Sequence, residues 1–133
     1  MDLSNLNTKD QSEAGVPMTV RLPTGEETDI KLTVIGRSSE RFAAAKLEFD
    51  RKMAKLRPVR DRDIDDVTIE QRADDEFTAT LVLDWDGATD GGQPLPFTLA
   101  NVVRMLQVAP YIKGQILKVA LDDARFLART PTA

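Results

Sequence analysis

The chain has 133 residues, a formal net charge of −4 and 41% apolar residues, which suits one domain with a modest core and no bulk attraction to nucleic acid or anionic membranes. It contains no histidine and no cysteine. That excludes disulfides, thiolate chemistry, Cys/His zinc sites and every Ser-His-Asp or Cys-His arrangement, and it leaves carboxylates, Lys, Tyr111 and hydroxyls for any catalysis.

Residues 1–15 are polar and aperiodic, and they predict a disordered arm. No basic region there precedes an apolar run, so no signal peptide is expected. Met18, Val20 and Leu22 alternate with Thr19 and Arg21, and Ile30, Leu32 and Val34 alternate again. The turn signal Pro23-Thr24-Gly25-Glu26 between them predicts a β-hairpin, which must pack on something to be stable. Ser38 or Ser39 is placed to cap a helix. Phe42, Ala45, Phe49, Met53 and Leu56 then form one apolar helical stripe, which Pro58 ends. Residues 58–66 are dense in charge and read as a linker, with Asp65 or Asp66 available to cap a helix beyond it.

Residues 67–86 fit two periods. Phe77, Ala79, Leu81, Leu83 and Trp85 alternate as a strand would, whereas Ile69, Ala73, Phe77, Leu81 and Trp85 form a helical row. Pattern alone leaves both open. Residues 87–96, GATDGGQPLP, are a loop. Thr98 caps a short helix whose inner face is Leu99, Val102, Val103 and Leu106. Pro110 opens a last helix, with Ile112, Ile116, Val119, Ala120 and Leu127 on one face and Leu117, Leu121 and Ala124 widening it. Residues 129–133 read as a tail, so a single domain is expected over 16–128.

Three constellations invite chemistry. Asp84, Asp86 and Asp90 suggest a calcium loop, but the spacing fails at three positions of the EF-hand pattern, and a solvated acidic turn is the simpler account. No metal and no cofactor is expected. Lys46, Arg51, Lys52, Lys55, Arg57, Arg60 and Arg62 make a basic band, with Asp50, Asp61, Asp63, Asp65 and Asp66 interleaved or adjacent. The interleaved acids and the lack of any aromatic among the basic residues from Arg51 onward argue against nucleic acid; a solvated helix face or a charged protein–protein contact fits better. The last helix is apolar over more than half of its girth, so it is either central or covered by a partner.

The order of features resembles the tail assembly chaperones of long-tailed bacteriophages. The likeness runs over roughly residues 16–128, through "VRLPTGEETDIKLTVIG", "LVLDWDG", "ATDGGQPLPFT", "LANVVRMLQVAP" and "YIKGQILKVALDDARFL". It rests on Trp85, Gly87, Pro96, Phe97, Thr98, Leu106, Pro110 and Phe126. The resemblance implies an α+β fold, an N-terminal β-hairpin followed by about four helices, with residues 67–86 as a helix ending at Gly87. It implies a non-enzymatic chaperone that binds the tape measure protein in the host cytoplasm, is absent from the mature virion, and often has a longer frameshifted product. A tail or head–tail connector component retained in the virion is the alternative. Membrane binding is not expected, and no active-site residues carry over. On this reading, Tyr111, Gln115, Lys118 and Phe126 face the partner, with Leu99, Val103, Ile116 and Leu121 packed inward. Arg51, Lys55, Arg57, Arg60, Asp63, Asp65 and Asp66 mediate self-association.

Overall fold

The computed structural model describes residues 1–128, so the expected tail at 129–133 lies outside the described residues. The fold is α+β, as expected. Strands β1 (Val16–Arg21) and β2 (Glu27–Val34) form the hairpin, with Val16 against Val34 and Arg21 against Glu27. Leu32 and Val34 point to the core while Lys31 stays exposed, which is the alternation of a half-buried strand.

Helix α2 (Glu40–Ala54) starts where Ser39 accepts the Phe42 N–H at 3.1 Å and ends before Pro58. The apolar stripe faces helix α3 (Ile64–Thr80): the Phe42 and Phe77 rings meet edge-on at 5.6 Å, and Phe49 lies 5.7 Å from Phe77. The cap of α3 is Asp63, not Asp65 or Asp66. The Asp66 N–H donates to Asp63 at 3.0 Å and the Asp63 N–H donates back to Asp66 at 3.2 Å, a reciprocal box that satisfies two otherwise orphaned donors.

The expectation of one helix over residues 67–86 is corrected. Both periods are present, in succession. Helix α3 stops at Thr80, and residues Val82–Asp86 form strand β3, antiparallel to β2, giving the order β1-β2-β3. Ala73 and Phe77 serve the helical face, whereas Val82 is sealed in the core as a strand residue. Gly87 caps no helix. It sits at φ +83°, and a β-carbon there would run into the Asp29 carbonyl of β2, so the close approach to that strand requires glycine at this point.

The loop at 87–96 carries a two-rung hairpin, β4 (Thr89–Asp90) with β5 (Gln93–Pro94). Thr98 caps helix α4 (Leu99–Val108), accepting the Asn101 N–H at 3.1 Å, and Pro110 precedes helix α5 (Tyr111–Ala120). The last helix does not run on to Leu127. Asp122 accepts the Ala124 N–H at 3.3 Å, a local bond that competes with helix continuation, and a 3-10 turn over Asp123–Phe126 comes next. That turn drives Phe126 into the core, where it is 1% exposed and belongs to the same apolar cluster as Leu32, Leu106 and Ile116.

Residues 1–15 are not a disordered arm. Leu3–Leu6 form a 3-10 turn and Lys9–Ala14 form helix α1. The anchor is Ser12, which is buried against Gly36: a β-carbon on Gly36 would collide with the Ser12 hydroxyl. The Gly36 N–H donates to the Ser12 carbonyl at 3.1 Å, and Glu13 accepts the Glu40 N–H at 2.7 Å at the start of α2. One small residue opposite another holds the segment, a signal with no periodicity to read.

Candidate partner-binding surfaces

The C-terminal surface is built differently from expectation. Phe126 is core and unavailable as an anchor, because the chain turns at Asp122 instead of continuing the helix. Leu99 and Leu121 do not pack inward; they are 51% and 47% exposed. Gln115 is engaged within the fold. Its amide accepts the Arg21 N–H at 2.9 Å and donates to the Arg21 carbonyl at 2.8 Å, so the side chain stands in for a strand beside β1. Tyr111 and Lys118 remain exposed or half-exposed. Near Tyr111, Lys113 spans α5 and α3, reaching Asp75 at 2.8 Å and Asp74 at 3.0 Å. The hydrogen bond to Asp75 leads in raising the ammonium pKa above its ordinary value, against the opposing effect of burial.

The charged hairpin between α2 and α3 closes largely on itself. Arg57 reaches Asp63 at 3.4 Å and Asp66 at 3.8 Å, and both acids belong to the α3 cap. The Asp66 N–H holds the Asp63 carboxyl below the usual range, with Arg57 adding to the effect. Arg62, at 16% side-chain exposure, pairs with Glu70 at 2.8 Å. Arg51, Lys55, Arg60 and Asp65 stay exposed at this end, together with Val59 and Ile64, at 77% and 76%.

Asp84, Asp86 and Asp90 are separated by their structural roles. Asp84 accepts the Trp85 N–H at 2.8 Å, Asp86 lies opposite Lys31, and Asp90 pairs with Arg104 at 2.7 Å. Trp85 packs edge-on against Phe97 at 5.6 Å and donates its indole N–H to the Leu95 carbonyl at 3.0 Å.

A groove that no sequence pattern announces runs between α2 and α3. It has a volume of about 500 Å³ and an apolar lining that includes Ala44, Ala45, Phe49, Ala73, Phe77 and Leu99. Its origin is steric: alanines on facing turns leave a trough that the phenylalanines flank and the first turn of α4 closes. Lys52 and Glu76, 2.5 Å apart, bridge the two helices at its edge. The run Ala43-Ala44-Ala45, with Ala73 opposite, is its visible trace in the sequence.

Residues 39–130 match the family described as YdaY prophage protein. The chain belongs to the YdaY prophage protein family. It is a phage-derived protein, in keeping with the broad origin that the tail-chaperone resemblance implied. The matched stretch starts at the Ser39 cap and takes in α2 through α5, so the groove lies wholly within the YdaY region while β1 and β2 precede it. No curated protein and no solved structure matches the chain.

Proposed function

We propose that this YdaY-family chain is a non-enzymatic tail assembly chaperone that binds and solubilises the tape measure protein in the host cytoplasm and leaves before the virion matures. The observation that carries the reading is the apolar α2–α3 groove, open at the surface of a phage-derived protein. A trough lined by alanine and phenylalanine between two helices suits the apolar face of an amphipathic helix. Covering such faces along a long helical partner lowers the population free to aggregate, and many weak copies on one chain gain by multivalency. Tyr111 and Lys118 offer a second contact on α5.

The test is co-expression with the tape measure protein of the same prophage. Soluble co-purification is expected, with the chaperone absent from purified particles. Leu99→Asp puts a charge at the groove's edge and an acid in the first turn of α4, where the helix dipole tolerates it. That variant is expected to lose at least ten-fold in capture at unchanged melting temperature. A tape measure protein that stays insoluble in the presence of the wild-type chain overturns the proposal.

A further inference from the structure

We propose that the exposed stripe of α5, centred on Gly114, receives an acidic amphipathic helix of the partner by close backbone approach. The inference deepens the proposed function: it rests on that reading for the partner chain and gives the second contact its chemistry. Tyr111, Gly114, Lys118 and Leu121 recur at helical spacing, so they share one side of α5 and its C-terminal cap. All four are exposed, Tyr111 at 40% and Leu121 at 47%, and the whole described chain, its N-terminal turn included, leaves the stripe open. The stripe runs about 15 Å along the axis, roughly three turns of a facing helix.

Gly114 is the residue that the fold itself does not require. A glycine inside a helix weakens it relative to alanine. Every other glycine either takes a positive φ or, at Gly36, faces Ser12. Gly114 has a helical backbone, and a β-carbon added to it would meet nothing outside its own turn of helix within 4 Å. Between Tyr111 and Leu121 it makes a saddle, and small side chains at a crossing point let two helix axes come closer.

Charge selects the occupant. Residues 91–121 hold Arg104, Lys113 and Lys118 and no acid, in a chain with 22 acids and a net charge of −4. Asp90 answers Arg104, and Asp74 and Asp75 answer Lys113. Lys118 forms no ion pair among the described residues, and it shares a depression with Arg21, Arg125 and a single acid, Glu27. The face therefore suits a helix that carries Asp or Glu beside its apolar stripe. A second copy docked through the same face would bring like charges together, with no acid on the stripe to offset them.

Two short helical peptides probe the face: one with a Leu/Ala stripe flanked by Glu, and its twin with Lys at every Glu position. Binding to the full chain is read by fluorescence anisotropy. The wild type is expected to prefer the acidic peptide by about ten-fold, and Lys118→Glu to erase or reverse that preference. Gly114→Leu is expected to lose about ten-fold in affinity for the acidic peptide while its melting temperature holds or rises, because leucine favours helix and its β-carbon meets no clash. A residue serving only the fold would not separate binding from stability in this direction. The bound acidic peptide is expected to shift the amide resonances of Tyr111, Gly114 and Lys118. Equal binding of the two peptides, or wild-type affinity in Gly114→Leu, overturns the proposal. So do resonance shifts centred on Ala44 and Ala73, which place the peptide in the α2–α3 groove. A wild-type dimer in light scattering that Gly114→Leu abolishes gives the face to a second copy and overturns it too. No tape measure protein enters these assays, so their failure leaves the co-purification test standing, and the reverse also holds.

Discussion

The two halves of the molecule are held by different means. The sheet with α4, α5 and Phe126 is a continuous apolar core, in which Leu32, Val34, Leu81, Val82, Leu106 and Ile116 are essentially sealed. The α2–α3 hairpin leans on three half-buried phenylalanines, a charge-closed turn and two ion pairs, Lys52–Glu76 and Arg62–Glu70. Burial stabilises in proportion to apolar area removed from water, whereas exposed ion pairs add little. The core therefore sets global stability, and the hairpin is the region free to change contacts. Elements poor in buried apolar contact open first, and partner-binding elements are drawn from that end of the range.

The sharpest way to break this contrast is Phe126→Ala. If Phe126 belongs to the core, urea unfolding should show a loss of about 3–5 kcal/mol. Retained stability with weakened partner capture would return Phe126 to the surface. Phe49→Ala tests the other half. Phe49 is half-buried, so about 1–1.5 kcal/mol is expected, half of the transfer term for a fully buried ring. A loss as large as that of Phe126→Ala would mean that the hairpin is no softer than the core.

The smallest effect is electrostatic. The Asp63 carboxyl titrates below its ordinary value because it accepts the Asp66 N–H, and the Asp123 carboxyl does so because it accepts hydrogen bonds from Arg37. A depressed folded-state pKa contributes stability that is fully present above the unfolded value of about 3.9 and drains away as pH falls through the lower folded value. Wild-type melting temperature should therefore drop in that acid window, and Asp63→Asn should flatten part of the drop. An unchanged slope in the variant would remove the cap from the account of α3.

The elements that were legible in the sequence are those with one uncontested period. The β1–β2 alternation and the Ser39 and Thr98 caps appear where local chemistry placed them, whereas α2 stops at Ala54, short of Pro58, and leaves Leu56 outside the helix. Residues 67–86 were not legible as one element because two periods overlap at Phe77 and Leu81, and only the partner strand β2 decides where helix yields to strand. The resemblance favoured helix to Gly87, and the pairing of Leu32 with Trp85 shows why that stretch must be extended. Phe126 was misplaced because a helix wheel drawn through Asp122 and Asp123 ignores the local bond that Asp122 accepts. The groove was hidden because a trough made by small residues exists only between two elements. Arg57, Asp63 and Asp66 read as sticky charges, but their geometry turns them toward each other.

The bond pair between Gln115 and Arg21 reaches beyond local geometry. A three-stranded sheet has two open borders, and an open border is an invitation to endless stacking of like on like. On β1, the Gln115 amide occupies the donor and acceptor of Arg21, and Pro17 has no N–H to offer. A chain so finished can be crowded without its sheets knitting into fibrils, which is a sound trait in a molecule whose neighbours would be many copies of itself.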